Sequence, residues 1–382
     1  MIRDDMHVTA NSHIGVMVIP AALALAQREA WTGDQLLRSI VAGYDMAAAL
    51  GTAVRHGGLH NAHFRPSGII GAFGSAAAGI VGGGGGGGSE INHATAVSAL
   101  SFGVNMAAGL NEWAWAGGTE IYTHMGSASR NGIISLGLAR AGMQSSDTVL
   151  EGRDGAFEAY RKGEAGASDK FAEWVAEKSI GGGILDARFK PVAGCNFIQT
   201  PLSIALKLSK EITGSIGQIE RICVNTTSAA KAYPGCDSFG PFDKVGQAKM
   251  SIQYGVAAGL LFGRIDDSTY QQYDNLELQA LIQKCTVVVE SSFDQEFSQG
   301  RQPSRVEITM RDGETIQSAL DDVPWLDGEA VQLRFRQEAA VIYPAEVVGQ
   351  IVKGCWGLQD AKNCSTLFDL LSSGVYPDLS TG

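Results

Sequence analysis

The chain has 382 residues, of which 45% are hydrophobic and 18% are charged, and its formal net charge is −11. This length favours two domains over one, and the composition excludes a wholly disordered chain. No run of basic residues is longer than two. The sequence therefore predicts no nucleic-acid partner, because such proteins present clustered positive charge to the phosphates.

The sequence also favours a cytoplasmic location. Its first residues, Met1 to Asp5, are polar and lack the pattern of a signal peptide. No apolar run of about 18 residues is free of charges and glycine breaks, so we expect no membrane-spanning helix. The six cysteines form no Cys-x-x-Cys pair, which is typical of isolated thiols in a reducing compartment.

The first half of the chain is predicted to be helical. Strong helix formers and apolar residues at helical spacing run from Val16 to Gly51, with capping residues and a break at Thr32-Gly33-Asp34. Further helices are predicted at 69–81, 94–110 and 127–141. Seven consecutive glycines, 82–88, predict a flexible connector between them, with Ser89 as the cap of the next helix.

The second half changes to a mixed pattern. Segments 219–227 and 285–290 are typical of strands, and 305–310 with 315–317 predicts a hairpin with an Asp312-Gly313 turn. Helices are predicted at 200–213 and 246–263, and the chain returns to helix after Trp325. The predicted fold is mostly α with an inserted α+β domain. The helical domain comprises 1–185 and 326–382, and the α+β domain comprises 186–325.

The candidate functional residues are side chains that bind carboxylates or move protons. All seven histidines lie within the first 124 residues, which indicates that the helical domain carries the site. Arginine and lysine match carboxylates, and histidine or tyrosine can transfer protons. The candidates for catalysis are His13, His124, Lys190 and Tyr254, and those for substrate binding are Asp5, His63, Arg65 and Ser67.

Three histidines have a spacing that could gather a metal ion on one helix face. However, Gly57-Gly58 interrupts the segment that holds His56, His60 and His63, and no carboxylate accompanies them. We therefore predict no metal site. The sequence also has no phosphate loop, no dinucleotide fingerprint and no nucleophilic serine elbow.

An ordered set of short motifs resembles the MmgE/PrpD family along nearly the whole chain. The motifs are Asp4-Asp5-x-His7 with His13-x-Gly15, Gly43-Tyr44-Asp45, Pro66-Ser67-Gly68, His124-x-Gly126, Leu150-Glu151-Gly152, Phe189-Lys190-Pro191 and Ser251-x-x-Tyr254. The resemblance implies a large helical domain with an α+β lid, no metal or organic cofactor, and a homodimer. It implies a small polycarboxylate substrate. The family's active-site histidine, lysine and tyrosine fall on His13, Lys190 and Tyr254.

Three positions depart from the family pattern. Arg65 replaces the usual histidine, Ile121 replaces the usual lysine, and Ile2 replaces the first aspartate of the opening motif. The family also has helices before the Asp4-Asp5 segment. The resemblance implies a lyase of the 2-methylcitrate dehydratase type. The alternatives are a dicarboxylate epimerase of the iminodisuccinate type, a cis-aconitate-type decarboxylase, and a shortened non-catalytic member. Which histidine is the base stays open.

Overall fold

A computed structural model of the chain describes residues 4–59, 63–84, 91–162, 165–178, 180–212 and 216–374. The chain divides into two compact units. The helical unit consists of 5–109, 122–188 and the described residues from 326 onward. The α+β unit consists of Asp4, 110–121 and 189–325. The fold is thus mostly α with an inserted α+β part, as predicted.

The helices and strands follow one another in this order: β1 Asp5–His7, α1 Gly15–Glu29, α2 Gly33–His56, α3 Pro66–Gly83, α4 His93–Asn105, α5 Trp113–Ala116, α6 Glu120–Arg140, α7 Ala156–Ala159, α8 Ala167–Glu177, α9 Gly182–Leu185, β2 Ala187–Phe189, α10 Gln199–Leu208, β3 Ile219–Thr226, α11 Ser228–Ala232, α12 Val245–Met250, α13 Ile252–Phe262, α14 Leu276–Gln283, β4 Cys285–Val289, α15 Ser291–Ser298, β5 Ser304–Met310, β6 Thr315–Leu320, α16 Gly328–Ala339, α17 Ala345–Trp356 and α18 Ser365–Ser372.

Helix α3 is the core of the helical unit. It packs against α1, α2 and α4, and almost all of its glycine, alanine and isoleucine residues are buried. Small side chains let neighbouring helices approach closely, which increases the dispersion contacts that each helix makes. The helix is long and apolar enough to cross a bilayer, but 89% of it is buried inside the unit. These properties are those of a core helix.

The glycine run begins inside α3 rather than after it. We predicted that no helix would survive there, but α3 continues through Gly82 and Gly83. A Cβ added to Gly82 would lie 2.2 Å from the ring of Trp31. The close packing of this aromatic ring offsets the low helix propensity of glycine. Gly84 is the C-cap residue of α3, and the remaining glycines, 85–88, and the predicted cap Ser89 lie outside the described residues.

Capping residues set where the other helices begin. Thr32 and Gln35 form a capping box at the start of α2, which confirms the predicted break. The side chain of Asn92 accepts a hydrogen bond from the backbone N–H of Thr95 and caps α4. The hydrophobic periodicity of the sequence located these helices, and the capping residues fix where each of them begins.

The α+β unit contains a four-stranded sheet in the order β4-β3-β5-β6. Strands β3 and β4 are parallel, and the other two pairs are antiparallel. The predicted hairpin is confirmed, because β5 and β6 pair across the Asp312-Gly313 turn. The segment 110–121 also packs into this unit, although the sequence suggested the helical domain. The reason is apolar burial, since Trp113 and Ile121 belong to its hydrophobic core.

His7 is a fully buried histidine at the end of β1. Its Nδ1 accepts a hydrogen bond of 3.2 Å from the backbone N–H of Ala10. Burial lowers the pKa of His7 from 6.5 to about 4, and the nearby Asp186 carboxylate offsets only part of this effect. The folded protein therefore holds His7 in its neutral form at neutral pH.

We predict that His7 makes the protein acid-sensitive. The unfolded chain takes up the proton first as pH falls below 6.5, so stability is lost between pH 6.5 and about pH 4. The expected loss is about 3 kcal/mol. Chemical denaturation across this range measures it. His7→Asn keeps an acceptor near the position of Nδ1 and should remove the loss, whereas the control His93→Asn at an exposed histidine should retain it. An unchanged pH slope in His7→Asn would contradict the assignment.

Candidate functional site

Asp5 is fixed in the helical unit through its carboxylate. The two carboxylate oxygens accept from the backbone N–H of Gly15 at 3.1 and 3.3 Å, and one accepts from the Tyr44 hydroxyl at 3.0 Å. Gly15 begins α1, so the carboxylate lies at the positive end of the helix dipole. A Cβ on Gly15 would lie 2.4 Å from the Tyr44 hydroxyl oxygen, so this approach requires glycine. These contacts position Asp5, and its binding of substrate stays a prediction.

His13 is held in one tautomer by the main chain. Its Nδ1 lies 2.8 Å from the carbonyl oxygen of Asp5. A carbonyl oxygen only accepts, so Nδ1 carries the hydrogen, and the lone pair of the neutral ring lies on Nε2. The backbone N–H of His13 donates to Oγ of Ser67 at 3.1 Å. The neutral imidazole therefore has Nε2 as its basic atom, which is the arrangement that a general base requires.

Arg65 and Ser67 lie at the start of α3. Arg65 is the N-cap residue, and its backbone N–H donates to the Gly109 carbonyl at 2.9 Å. Only 6% of Arg65 is exposed, and Ser67 is fully buried. An arginine guanidinium is a cation in proteins. The start of α3 therefore carries a permanent positive charge inside the protein.

His124 adjoins this group from α6. A Cβ added to Gly109 would lie 3.3 Å from Nδ1 of His124 and 3.4 Å from Cβ of Arg65, so both side chains adjoin the same glycine. Four of the predicted residues, His13, Arg65, Ser67 and His124, are thus brought together around the first turn of α3. His63 differs from them, because it is exposed and has a left-handed backbone with φ 63°.

Lys190 forms a buried ion pair in the α+β unit. Its Nζ donates to Oδ1 of Asp4 at 3.0 Å, and the two side chains are only 1% and 9% exposed. Removing two charges from water is costly, and their mutual attraction offsets this cost only while both are present. The structure therefore pairs Lys190 with a carboxylate of the protein itself. The sequence did not pair these residues, because 186 positions separate them.

Tyr254 lies in the hydrophobic core of the α+β unit. It is fully buried, stacks on Tyr270 with ring centroids 6.1 Å apart, and meets the edge of Phe242. Its hydroxyl donates to the carbonyl of Thr269 at 2.8 Å. Burial raises its pKa well above its usual range, so the hydroxyl keeps its proton. These contacts explain the tyrosine structurally, and its role as a proton donor stays a prediction.

Tyr44 and Asp45 hold other groups of the helical unit in place, although the sequence of their motif indicated no such role. In Gly43-Tyr44-Asp45, Tyr44 donates to Asp5, as described above. Asp45 accepts from the backbone N–H groups of Gly181 and Gly183 at 2.7 and 2.8 Å. The signal was the motif itself, but only the folded chain shows which distant backbone each side chain contacts.

Comparison with known proteins gives two family matches. Residues 3–167 match the MmgE/PrpD N-terminal domain, and residues 193–332 match the MmgE/PrpD C-terminal domain. The chain belongs to the MmgE/PrpD family. The two matched regions together cover most of the chain, so the resemblance seen in its motifs is confirmed.

Curated relatives of this family member are lyases. The chain is 24% identical over 398 residues to the cis-aconitate decarboxylase of Aspergillus terreus, covering 97% of this chain and 78% of that protein. It is 23% identical over 403 residues to the cis-aconitate decarboxylase of Homo sapiens, covering 99% and 78%. These relatives and the family place the chain among lyase-type enzymes. The homodimer and the cytoplasmic location stay predictions.

Ile121, which replaces the usual lysine of the family, is a core residue. The residue is 3% exposed and belongs to the hydrophobic core of the α+β unit. An ammonium at this position would need a partner to offset its desolvation. At the position where the family pattern has a lysine, this chain therefore has a side chain that packs in the core. A cation that binds substrate must come from other residues.

We predict that the Lys190–Asp4 pair is strongly coupled. Lys190→Met removes the ammonium that offsets the desolvation of the buried Asp4 carboxylate, so the free energy of unfolding should fall by about 3–5 kcal/mol. The double variant Lys190→Met/Asp4→Asn should recover most of this loss. As a control in the same unit, Arg264→Met breaks an ion pair with Asp266 whose side chains are 70% and 43% exposed. It should cost less than about 1 kcal/mol. Additive losses in the double variant would show that the pair is uncoupled.

We predict that Tyr254→Phe acts mainly on stability. The variant removes one of the two donors to the Thr269 carbonyl, which still accepts from the backbone N–H of Gln272 at 3.3 Å, so it should cost about 1 kcal/mol. Turnover should stay within a few-fold of the wild-type rate. Thermal unfolding and steady-state kinetics measure the two effects, with Tyr273→Phe at a half-buried tyrosine as the control. A large fall in kcat at unchanged stability would instead establish Tyr254 as a proton donor.

Proposed function

We propose that this lyase acts on a small di- or tricarboxylate by removing a proton α to a carboxylate and eliminating water, as in a 2-methylcitrate dehydratase. The observation that supports this proposal is the fixed tautomer of His13. Its Nδ1 donates to the Asp5 carbonyl at 2.8 Å, so the basic Nε2 is the atom that can accept a substrate proton.

The proposed reaction has two proton transfers. His13 takes the α proton, and the electron pair of the broken C–H bond is delocalised into the adjacent carboxylate. The bond to the hydroxyl on the neighbouring carbon then breaks, and the leaving oxygen takes a proton and departs as water. His124 is the candidate acid for this second step, because an imidazole can both donate and accept a proton near neutral pH. Tyr254 is the alternative donor.

Cations are needed because the intermediate carries more negative charge than the substrate. Charges fixed before the reaction stabilise such a state without a cost of reorganisation. Arg65 is the proposed carboxylate-binding residue, since its guanidinium presents paired donors at the start of α3. A guanidinium is a poor base, so proton transfer falls to the histidines. Lys190, which is paired with Asp4, is proposed as a second cation.

Decarboxylation is the second candidate, and the names of the relatives favour it. In that reaction a C–C bond breaks instead of a C–H bond, and the electron pair left on carbon takes up a proton. His13 would then have to act in its protonated form. The two reactions are distinguishable, because only decarboxylation releases carbon dioxide.

Nuclear magnetic resonance in heavy water tests the proposal. The purified protein is incubated separately with 2-methylcitrate, citrate and cis-aconitate. Dehydration predicts an olefinic proton signal from citrate and, from 2-methylcitrate, a methyl singlet on the new double bond, together with deuterium at the α carbon of the remaining substrate. Decarboxylation predicts bicarbonate and a product with one carboxylate fewer. Absence of both changes with all three acids would contradict the proposed function.

We predict that His13→Asn removes most of the activity while preserving the local fold. The asparagine amide can donate to the Asp5 carbonyl in place of Nδ1–H, but it offers no equivalent of Nε2. The kcat should fall by about 10²–10⁴-fold, which is the usual contribution of a general base. Circular dichroism and steady-state kinetics measure fold and rate.

The matched control for this variant is His93→Asn, since His93 is exposed at the first residue of α4. It should retain the wild-type rate. A His13→Asn enzyme with a kcat near that of the control would show that another group is the base.

A further inference from the structure

Two thiols of the α+β unit are in contact. Sγ of Cys195 lies 3.7 Å from Sγ of Cys236, although 41 positions separate the residues. Cys195 immediately precedes the short 3-10 helix Asn196–Ile198, and Cys236 lies in the turn after α11. Neither residue has a part in the proposed reaction. Their contact therefore requires a separate explanation.

The main chain holds both cysteines against the same stretch of structure. The backbone N–H of Cys195 donates to the Lys249 carbonyl at 2.9 Å, and the carbonyl of Cys236 accepts from the N–H of Ile252 at 2.9 Å. Lys249 and Ile252 flank the short connection between α12 and α13. Because both backbones are fixed to this connection, the closeness of the two sulfur atoms is a property of the fold.

The two thiols differ in their access to solvent. Cys195 is half-buried, whereas Cys236 is fully buried. Burial also raises the pKa of Cys236 well above its usual range, so this thiol is protonated and is not the one that a peroxide in solution oxidises first. An oxidant from solution therefore reaches Cys195 first. Cys236 lies behind it, in the position of a resolving thiol.

We propose that Cys195 and Cys236 form a reversible disulfide when a peroxide oxidises the protein. The Cys195 sulfur attacks a peroxide oxygen, the O–O bond breaks, and a sulfenic acid and water form. The Cys236 sulfur then attacks the Cys195 sulfur, so the S–S bond forms and the S–O bond breaks. The released hydroxide takes the Cys236 proton and leaves as water. Two thiols lose two electrons and two protons, the peroxide is reduced, and a dithiol restores the thiols.

Disulfide formation would move Cys195 relative to the loop that carries Lys190. The two sulfur atoms must move from 3.7 Å to about 2.05 Å. The side-chain amide of Gln199 donates to the carbonyls of Val192 and Cys195, each at 3.1 Å, and its oxygen accepts from the N–H of Val192. One buried side chain thus ties Cys195 to the segment next to Lys190. Movement of Cys195 is therefore transmitted toward Lys190, and the effect on catalysis rests on the proposed function.

Mass spectrometry of peptides from the oxidised full-length protein tests the disulfide directly. After treatment with hydrogen peroxide, the wild type should yield a Cys195–Cys236 cross-link that has lost two hydrogens and that dithiothreitol removes. The cross-link should be absent from Cys195→Ser and Cys236→Ser. It should persist in the control Cys223→Ser, which replaces another half-buried cysteine of the same unit. Oxidation of Cys195 to its sulfinic acid without any cross-link would overturn the proposal.

Two further measurements test the consequence for the loop. Hydrogen exchange of the peptide spanning 189–199 should change on oxidation of the wild type and not of Cys236→Ser. The kcat/KM of the oxidised wild type should fall about ten- to a hundredfold and recover with dithiothreitol, since displacements near an ångström have effects of this size. A cross-link with unchanged exchange and unchanged kcat/KM would overturn the regulatory effect. Failure of the reduced protein to act on any polycarboxylate would contradict the proposed function alone, since cross-linking and exchange do not depend on it.

Discussion

The placement of Asp5 is the interaction on which the histidine cluster of the helical unit depends. Its carboxylate caps α1 at Gly15, and its carbonyl oxygen holds Nδ1 of His13. The chain can make both contacts because it turns back on itself: the backbone groups of His7 and Ser12 bond each other in both directions. This tight loop returns His13 to the side of Asp5. One short segment therefore sets both the start of a core helix and the tautomer of an imidazole.

Local structure was predictable because its causes lie within a few residues. The capping residue Thr32 and the Asp312-Gly313 turn act through nearby backbone, so the sequence pattern indicates them directly. The end of α3 was not predictable in this way. Glycines disfavour a helix by their own propensity, and only packing against Trp31, which is distant in sequence, shows why Gly82 remains helical.

The same difference between local and distant causes applies to the candidate site. Residue types that bind carboxylates or move protons, found in short polar motifs, selected His13, Arg65, Ser67 and His124, and the fold gathers them around one helix start. Partners were harder to foresee, since Asp4 meets Lys190 across most of the chain length. The Ser-x-x-Tyr motif has a further structural cause. Ser251 caps α13, and its Oγ accepts from the backbone N–H of Tyr254 at 3.0 Å. The spacing of this motif is thus the spacing of an N-cap, which sequence alone does not distinguish from a catalytic pattern.

Two charged candidate residues, Lys190 and Asp5, already have partners within the protein. Lys190 is paired with Asp4, and the Asp5 carboxylate is stabilised by the amide and hydroxyl groups that cap α1. An acidic chain of net charge −11 also repels anions at long range. A polycarboxylate must therefore be bound by local donors that can serve two acceptors at once. Arginine suits this requirement because its planar fork carries five N–H groups. For Lys190, any contact with substrate would involve Asp4 as well, so the two residues must be considered as one unit in the chemistry.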